Sequence, residues 1–182
     1  MCVTDRWGNM IAATPSGLGS TAGVGDTGII HGSRLVSLNT WKGHPNSIQP
    51  GKRPRVTLTP TLVLKDGKPV LAISVAGGDL QDQAAIQLIL DYIEFGMLPE
   101  RAVAEPRFAT THHTGSFGQD KPTLGSLQVN VRVDESVREE LKKRGHVLTT
   151  TRGGIGGVNM LILDPKSKVA FGAGPAAGRV SE

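Results

Sequence analysis

The sequence predicts an α+β fold in a single domain that covers residues 1–182. Two hairpin patterns occur in the first half of the chain, and hairpins join antiparallel strands. A long helix pattern follows them, and further strand and helix patterns fill the rest of the chain. This order differs from the strict strand–helix repetition of doubly wound parallel sheets. The length is close to the ~150 residues of a typical domain, and the 38% hydrophobic content supplies one core.

The two hairpins are predicted from apolar runs on either side of turn residues. In the first, residues 1–4 and 10–13 flank a polar turn. In the second, residues 61–64 and 70–75 flank a turn with the sequence Lys-Asp-Gly-Lys, and Asp-Gly is a strong hairpin signal. The run at 70–75 is almost continuously apolar, which is typical of a strand covered on both faces. The intervening residues 15–54 are rich in Gly, Ser and Pro, and so long an irregular segment is more often functional.

The strongest helix pattern runs from Leu80 to Phe95. Asp79 is a favourable N-cap residue, and Gly96 is a favourable C-terminal stop. The broad apolar surface of this helix predicts that it packs against a sheet. The predicted apolar face is defined by Ile86, Leu90 and Ile93 and widened by Ala85, Ile89 and Tyr92.

The remaining elements are predicted with the same periodicity rules. In the second amphipathic helix, Val137 and Leu141 are expected to face inward. These elements are a short helix at 99–104, a strand at 127–133, a helix at 136–144 and strands at 147–150, 157–163 and 169–172.

The composition argues against several classes of function. The net charge is +4, basic residues are scattered, and aromatic residues are only 4% of the chain, so nucleic-acid binding is not indicated. The single cysteine, Cys2, cannot form an internal disulfide. No apolar run approaches the ~18 residues of a membrane span. No signal peptide is visible at the N-terminus, which slightly favours a cytoplasmic location, although a targeting segment could lie outside a fragment.

The turn at Gly77-Gly78 is the strongest candidate for chemistry. A buried strand ends there and the long helix begins directly afterwards. The first amides of a helix lack internal partners, and glycine lets a ligand oxygen approach the backbone closely. This is the construction of an oxyanion or anion hole. The alternative is a tight strand-to-helix connection that needs positive φ.

Other motifs are weaker. Residues 23–28 match G-x-G-x-x-G, but no helix pattern follows, so a dinucleotide site is not expected. The adjacent His112 and His113 lack metal-ligand spacing with each other, and neither a metal nor another cofactor is expected. No G-x-S-x-G elbow is present, and no nucleophile–base pair is evident. Residues 52–55, Lys-Arg-Pro-Arg, are open to three interpretations: a carboxylate-binding site, a solvated loop or an edge that meets another chain.

Three stretches together resemble the small, C-terminal subunit of the γ-glutamyltransferase family. The first is Val-Thr-Asp-Arg-Trp-Gly-Asn at 3–9, and the second is Pro-Gly-Lys-Arg-Pro-Arg-Val-Thr-Leu-Thr-Pro-Thr at 50–61. The third joins Ala-Gly-Gly-Asp at 76–79 to Ile-Glu-Phe-Gly-Met at 93–97 and Ala-Glu-Pro-Arg-Phe at 104–108. Their order and spacing match along nearly the whole chain.

This resemblance implies an N-terminal nucleophile hydrolase with a four-layer αββα fold. In such enzymes a precursor cleaves itself, and the new N-terminal threonine of the small subunit attacks while its own amino group acts as the base. The resemblance places that threonine about three residues before Met1, and Thr4 falls within the first strand instead. It also implies a large N-terminal subunit of the same precursor as the partner, and a small-molecule amide or γ-glutamyl substrate.

The resemblance also implies site residues at particular positions. Gly77 and Gly78 match the family's oxyanion-hole glycines, while Thr57 matches a serine that contacts substrate. Ser16 falls where the family has a hydroxyl residue near the nucleophile. Arg34 lies in a Gly-Ser-Arg segment similar to Gly-Thr-Arg in the acylase- or oxamate-amidohydrolase-like branch. Asp79 begins a further segment that is similar to that branch. The candidate substrate-binding residues are Ser16, Arg34, Thr57 and Asp79.

Two departures from the family pattern bear on the reaction. Val56 replaces a neighbouring serine, and the aspartate pattern that holds a γ-glutamyl amino group is not evident at 35–40. Hydrolysis of an amide is therefore expected rather than glutathione transpeptidation. The alternative is a non-catalytic or truncated family domain that associates with a large subunit or binds a small carboxylate.

Overall fold

The computed structural model describes residues 1–16 and 23–174, and their architecture confirms the α+β class. Its strands are β1 (Cys2–Thr4), β2 (Met10–Ala12), β3 (Thr61–Lys65), β4 (Lys68–Ala76), β5 (Phe108–Ala109), β6 (Ser126–Asn130), β7 (Val147–Thr151), β8 (Gly157–Leu163) and β9 (Ala170–Ala173). Its helices are α1 (Gln81–Ile93), α2 (Pro99–Ala104) and α3 (Glu135–Lys143), with short 3-10 turns at Arg34–Ser37 and Gly78–Leu80.

Both predicted hairpins are confirmed. Strands β1 and β2 pair antiparallel, as do β3 and β4. At the second turn Asp66 and Gly67 have φ angles of 51° and 74°, so both residues adopt the left-handed conformation that two-residue hairpin turns require. The predicted irregular segment contains only the short turn at Arg34–Ser37 and isolated bridges within its described part.

The core lies between the central sheet and the first two helices. This antiparallel sheet has the order β3-β4-β8-β9, and β4 is buried along most of its length. Because side chains alternate along a strand, one face of β4 packs on α1 and the other faces the β1–β2 hairpin. On the helix side, the fully buried side chains include Leu71, Ile73, Val75 and Leu88. Ser74 is buried on the opposite side.

A second sheet has the order β5-β6-β7. Strands β6 and β7 run parallel and are joined through α3, which is the crossover that parallel neighbours need. This parallel unit gives the fold one βαβ connection beside its hairpins. No helix among residues 1–16 and 23–174 is long and apolar enough to cross a membrane.

The predicted packing face of α1 is wrong at its centre and confirmed at its margin, where Ala85 is buried and Ile89 and Tyr92 pack against the core. Ile86, Leu90 and Ile93 are 51%, 43% and 54% exposed, whereas Ala84 and Ala85 are buried against the sheet. The helix carries two apolar stripes, and the small side chains of the alanine stripe let it approach β4 closely. The prediction that Val137 faces inward is also wrong. Its side chain is exposed, and no residue of α3 is buried.

Candidate active site

The turn that follows β4 has the positive φ angles that both an oxyanion hole and a tight strand-to-helix connection require. Gly77 has a φ angle of 142° and Gly78 one of 60°, both in the region that favours glycine. The Gly77 carbonyl accepts a hydrogen bond from the Leu80 amide at 3.1 Å. Within the described residues, neither the Gly77 nor the Gly78 amide donates to a protein acceptor. Two backbone donors at the end of a buried strand are therefore available to a ligand oxygen.

A third glycine, Gly156, packs against this turn. A Cβ atom at Gly156 would lie 3.1 Å from Val75 Cγ1 and 3.3 Å from Ala84 Cβ, and Gly156 itself has a φ angle of 75°. A Cβ atom at Gly77 would lie 3.5 Å from Gly156 Cα. Close backbone packing therefore fixes the position of the turn against β8 and α1.

Arg107 holds the loop that contains Gly156. Its buried guanidinium donates to the carbonyl oxygens of Ile155, Ala102 and Val103 at 3.2, 3.1 and 3.0 Å. Burial lowers the pKa of Arg107, and the nearby Asp91 carboxylate opposes this effect. The three carbonyl partners satisfy the guanidinium in its buried position. Arg107 thus connects the end of α2 to the support of the glycine turn.

The prediction that Asp79 caps α1 is wrong. The helix begins at Gln81, after a 3-10 turn at Gly78–Leu80, and it has no side-chain cap. The Asp79 carboxylate instead accepts hydrogen bonds from the Ser116 amide at 2.8 Å and from the Ser116 hydroxyl. It also lies 3.5 Å from Nη2 of Arg55. The Asp79 carboxylate therefore binds Ser116, 37 residues away in sequence, and does not cap α1.

Arg34 and Thr57 lie together on the irregular segment. Arg34 Nη1 is 3.5 Å from the hydroxyl of Thr57, which is buried. The Nε atom of Arg34 is buried without a hydrogen-bond partner among the described residues. The Ser37 hydroxyl lies 2.8 Å from the carbonyl oxygens of both Arg34 and Arg55, which holds the two stretches side by side.

Ser74 of β4 contacts the open end of the first hairpin, where Met1 lies opposite Ala13. Its hydroxyl is 2.8 Å from the Met1 nitrogen, 2.9 Å from the Ala13 carbonyl oxygen and 3.0 Å from the Thr14 hydroxyl. Met1 and Ala13 also exchange backbone hydrogen bonds of 2.7 and 2.9 Å. These contacts fix the hairpin on the same strand that carries the glycine turn.

Comparison with known proteins identifies the family. The sequence profile described as Gamma-glutamyltranspeptidase matches residues 1–179. The chain belongs to this family. A glutathione hydrolase proenzyme of Bacillus subtilis subsp. natto is 34% identical over 165 residues, which are 89% of this chain and 26% of that protein. An acylase proenzyme of a Pseudomonas species is 28% identical over 166 residues, which are 90% of this chain and 28% of that protein.

The solved structures agree with this assignment. A γ-glutamyltranspeptidase from Helicobacter pylori superposes with a TM-score of 0.78 at 26% identity, and the match covers 97% of both chains. The predicted family and the N-terminal nucleophile hydrolase class of fold are thereby confirmed. The chain spans about a quarter of the length of the curated relatives described above.

Within this γ-glutamyltranspeptidase-family chain, most predicted site residues lie together. Phe117 touches the glycine turn, since its Cε2 atom is 3.2 Å from an ideal Cβ at Gly78, and its ring centroid is 5.9 Å from Arg34 Cζ. Arg34 with Thr57 and Asp79 with the glycines therefore form one cluster. Ser16 is exposed and lies on the hairpin side instead, two residues after Thr14.

Sequence reasoning missed several residues of the site. Arg55 belongs to the basic stretch with three open interpretations, and the structure pairs it with Asp79. Ser116 and Phe117 had no local signal, because their contacts with 78–79 are made across the sequence. The glycine cluster at 153–157 was a visible signal for Gly156, but no pattern connected it to the turn.

Proposed function

We propose that this chain is the small-subunit portion of an amidohydrolase with the four-layer αββα fold of N-terminal nucleophile hydrolases. Its nucleophile would be a threonine about three residues upstream of Met1, the position that the family pattern implies. The observation that carries this proposal is the Gly77-Gly78 turn at the end of β4. Its two amides have no acceptor among the described residues, and the first hairpin is bound to the same strand.

The register of the hairpin supports the position of the nucleophile. Cys2 pairs with Ala12, and the hydrogen bonds of Met1 continue the ladder to Ala13. Continued upstream past Pro15, which cannot donate to the ladder, this register would place the third residue before Met1 opposite Ser16. The two would form a pair without backbone hydrogen bonds, in which side chains approach most closely. Alternation then places both side chains on the face of Thr14, whose hydroxyl meets Ser74 of β4.

The chemistry follows from these positions. The threonine oxygen attacks the amide carbonyl while its proton passes to the threonine's own amino group. The Gly77 and Gly78 amides stabilise the oxyanion that forms. Collapse of this intermediate breaks the C–N bond, and the amine leaves with the proton. Water then hydrolyses the acyl ester and restores the threonine.

Arg34 is proposed to bind a carboxylate on the acyl group. Its guanidinium lies beside Thr57, and no ion pair of the described residues involves it. The Asp79 carboxylate is already shared by Arg55 and Ser116, so its role would be to hold the site rather than to bind substrate. Val56 in place of a serine favours hydrolysis over transpeptidation.

The partner is proposed to be a large N-terminal subunit from the same precursor. The exposed apolar stripe of Ile86, Leu90 and Ile93 favours burial against another polypeptide. This surface also supports the second candidate, a non-catalytic family domain that acts only by association. The two candidates differ in whether the assembled protein turns over an amide.

The test is the amidase activity of the complete protein that contains this chain, measured as release of amine from γ-glutamyl and dicarboxylic monoamide donors. The proposal predicts turnover that is lost when the upstream threonine is replaced by alanine. Equal turnover by both proteins would refute the assignment of the nucleophile. A well-folded complex without turnover of any donor would favour the non-catalytic candidate.

A further inference from the structure

Residues 113–120, named here the Phe117 loop, are fastened to the site at three points. Ser116 binds the Asp79 carboxylate through its amide and hydroxyl. Arg55 Nη1 donates to the Thr114 carbonyl oxygen at 3.1 Å. On the other side, the amide oxygen of Gln119 accepts hydrogen bonds from Thr40, from its backbone amide at 3.2 Å and from its hydroxyl at 2.7 Å. The loop is therefore held between the glycine turn and the irregular segment.

These attachments place the Phe117 ring between two groups of the proposed site. One edge of the ring lies against Gly78, where an ideal Cβ would come within 3.2 Å of Cε2. The guanidinium carbon of Arg34 lies over the ring, 5.9 Å from its centroid. The ring therefore neighbours both groups that a bound acyl chain would have to reach, the turn at Gly78 and the Arg34 guanidinium.

We infer that Phe117 is a specificity-determining residue that forms one wall of the acyl-binding site and selects amides of short, unbranched dicarboxylic acids. The inference rests on the proposed function, which supplies the carbonyl at Gly78 and the carboxylate at Arg34. A flat apolar ring favours the methylene chain between these two ends. Because the ring packs directly on the turn, we expect it to exclude a bulky substituent on that chain.

The test compares binding of two product-like acids, glutarate and 3-phenylglutarate, to the complete protein by titration calorimetry. Wild-type protein is expected to bind glutarate more tightly. Phe117→Ala removes the wall, and we expect the ratio of the two dissociation constants to shift about tenfold or more toward the phenyl acid, the scale on which apolar pockets discriminate. Phe117→Leu keeps part of the apolar surface and should give an intermediate ratio.

Phe95→Ala is the matched control, since Phe95 is 69% exposed beyond the end of α1. It should keep the wild-type ratio. Wild-type protein that binds neither acid, or a Phe117→Ala ratio equal to that of Phe95→Ala, would overturn the inference. If Phe117→Ala fails to fold, as judged by circular dichroism, a wild-type ratio in Phe117→Leu would overturn it. Because the readout is binding, a shifted ratio without amide turnover would refute the proposed reaction but support the role of Phe117.

Discussion

Replacing Gly78 by alanine should separate the role of the turn in catalysis from its role in stability. Gly78 has a φ angle of 60°, and an alanine Cβ there would lie 3.2 Å from the Phe117 ring. The left-handed conformation costs alanine about 1–2 kcal/mol, and relief of the contact must move the ring or the turn. Alanine keeps the amide but shifts it out of position, and loss of one oxyanion donor lowers the rate by about 10²–10³. We expect Gly78→Ala to reduce kcat of the complete protein on this scale.

Gly96→Ala provides the matched control. Gly96 has a φ angle of 61°, and a Cβ there would meet nothing within 4 Å. In urea unfolding, Gly96→Ala should therefore lose about 1–2 kcal/mol of stability, and Gly78→Ala should lose at least as much because of its contact with Phe117. Only Gly78→Ala should lose amide turnover, measured as initial rates of amine release at saturating donor. Full activity in Gly78→Ala, or an equal loss in Gly96→Ala, would refute the assignment of the oxyanion hole.

Three further predictions concern groups around the site. Arg107→Met should destabilise the protein by about 3 kcal/mol in urea unfolding, because three buried carbonyls lose a charged donor. Arg101 is exposed, so the control Arg101→Met should lower the free energy of unfolding by less than ~1 kcal/mol. Equal losses in the two variants would contradict the role of Arg107. Ser74→Ala should cost about 1–3 kcal/mol, and an unchanged unfolding midpoint would argue against its anchoring of the hairpin. Burial raises the pKa of Asp91, so the folded state keeps this proton to higher pH than the unfolded state, and stability falls as pH rises through that interval. Asp91→Asn should therefore raise the melting temperature at neutral pH. At a pH below the ordinary carboxyl pKa, wild type and variant should melt at the same temperature. An equal increase in melting temperature under both conditions would contradict this explanation.

The hairpins could be predicted from sequence because their signals are local. Asp66-Gly67 determines its own turn conformation, and the apolar run before Gly77 identifies the buried strand. The glycine turn could be located for the same reason, since a strand end, two glycines and a helix start are adjacent in sequence. The resemblance to a known family then indicated that this turn is an oxyanion hole.

The remaining features depend on contacts that are distant in sequence. The face that α1 buries is decided by the fit of Ala84 and Ala85 against β4, although the helix carries a larger apolar stripe elsewhere. Aspartate is a favoured N-cap residue, but the Asp79 carboxylate binds Ser116, which lies 37 residues away in sequence. Phe117 contacts the turn from the same loop, and no periodicity marks a loop residue for such a role.

The most direct test of the central claim is the intact mass of the two chains produced from the complete precursor. We predict a smaller chain that begins with a threonine about three residues before Met1, and a precursor that stays uncut when this threonine is replaced by alanine. On incubation with an electrophilic amide analogue, the added mass should lie on the N-terminal peptide of the smaller chain. An uncut wild-type precursor that hydrolyses amides, or a label on any other peptide, would contradict the claim that Gly77 and Gly78 serve this nucleophile.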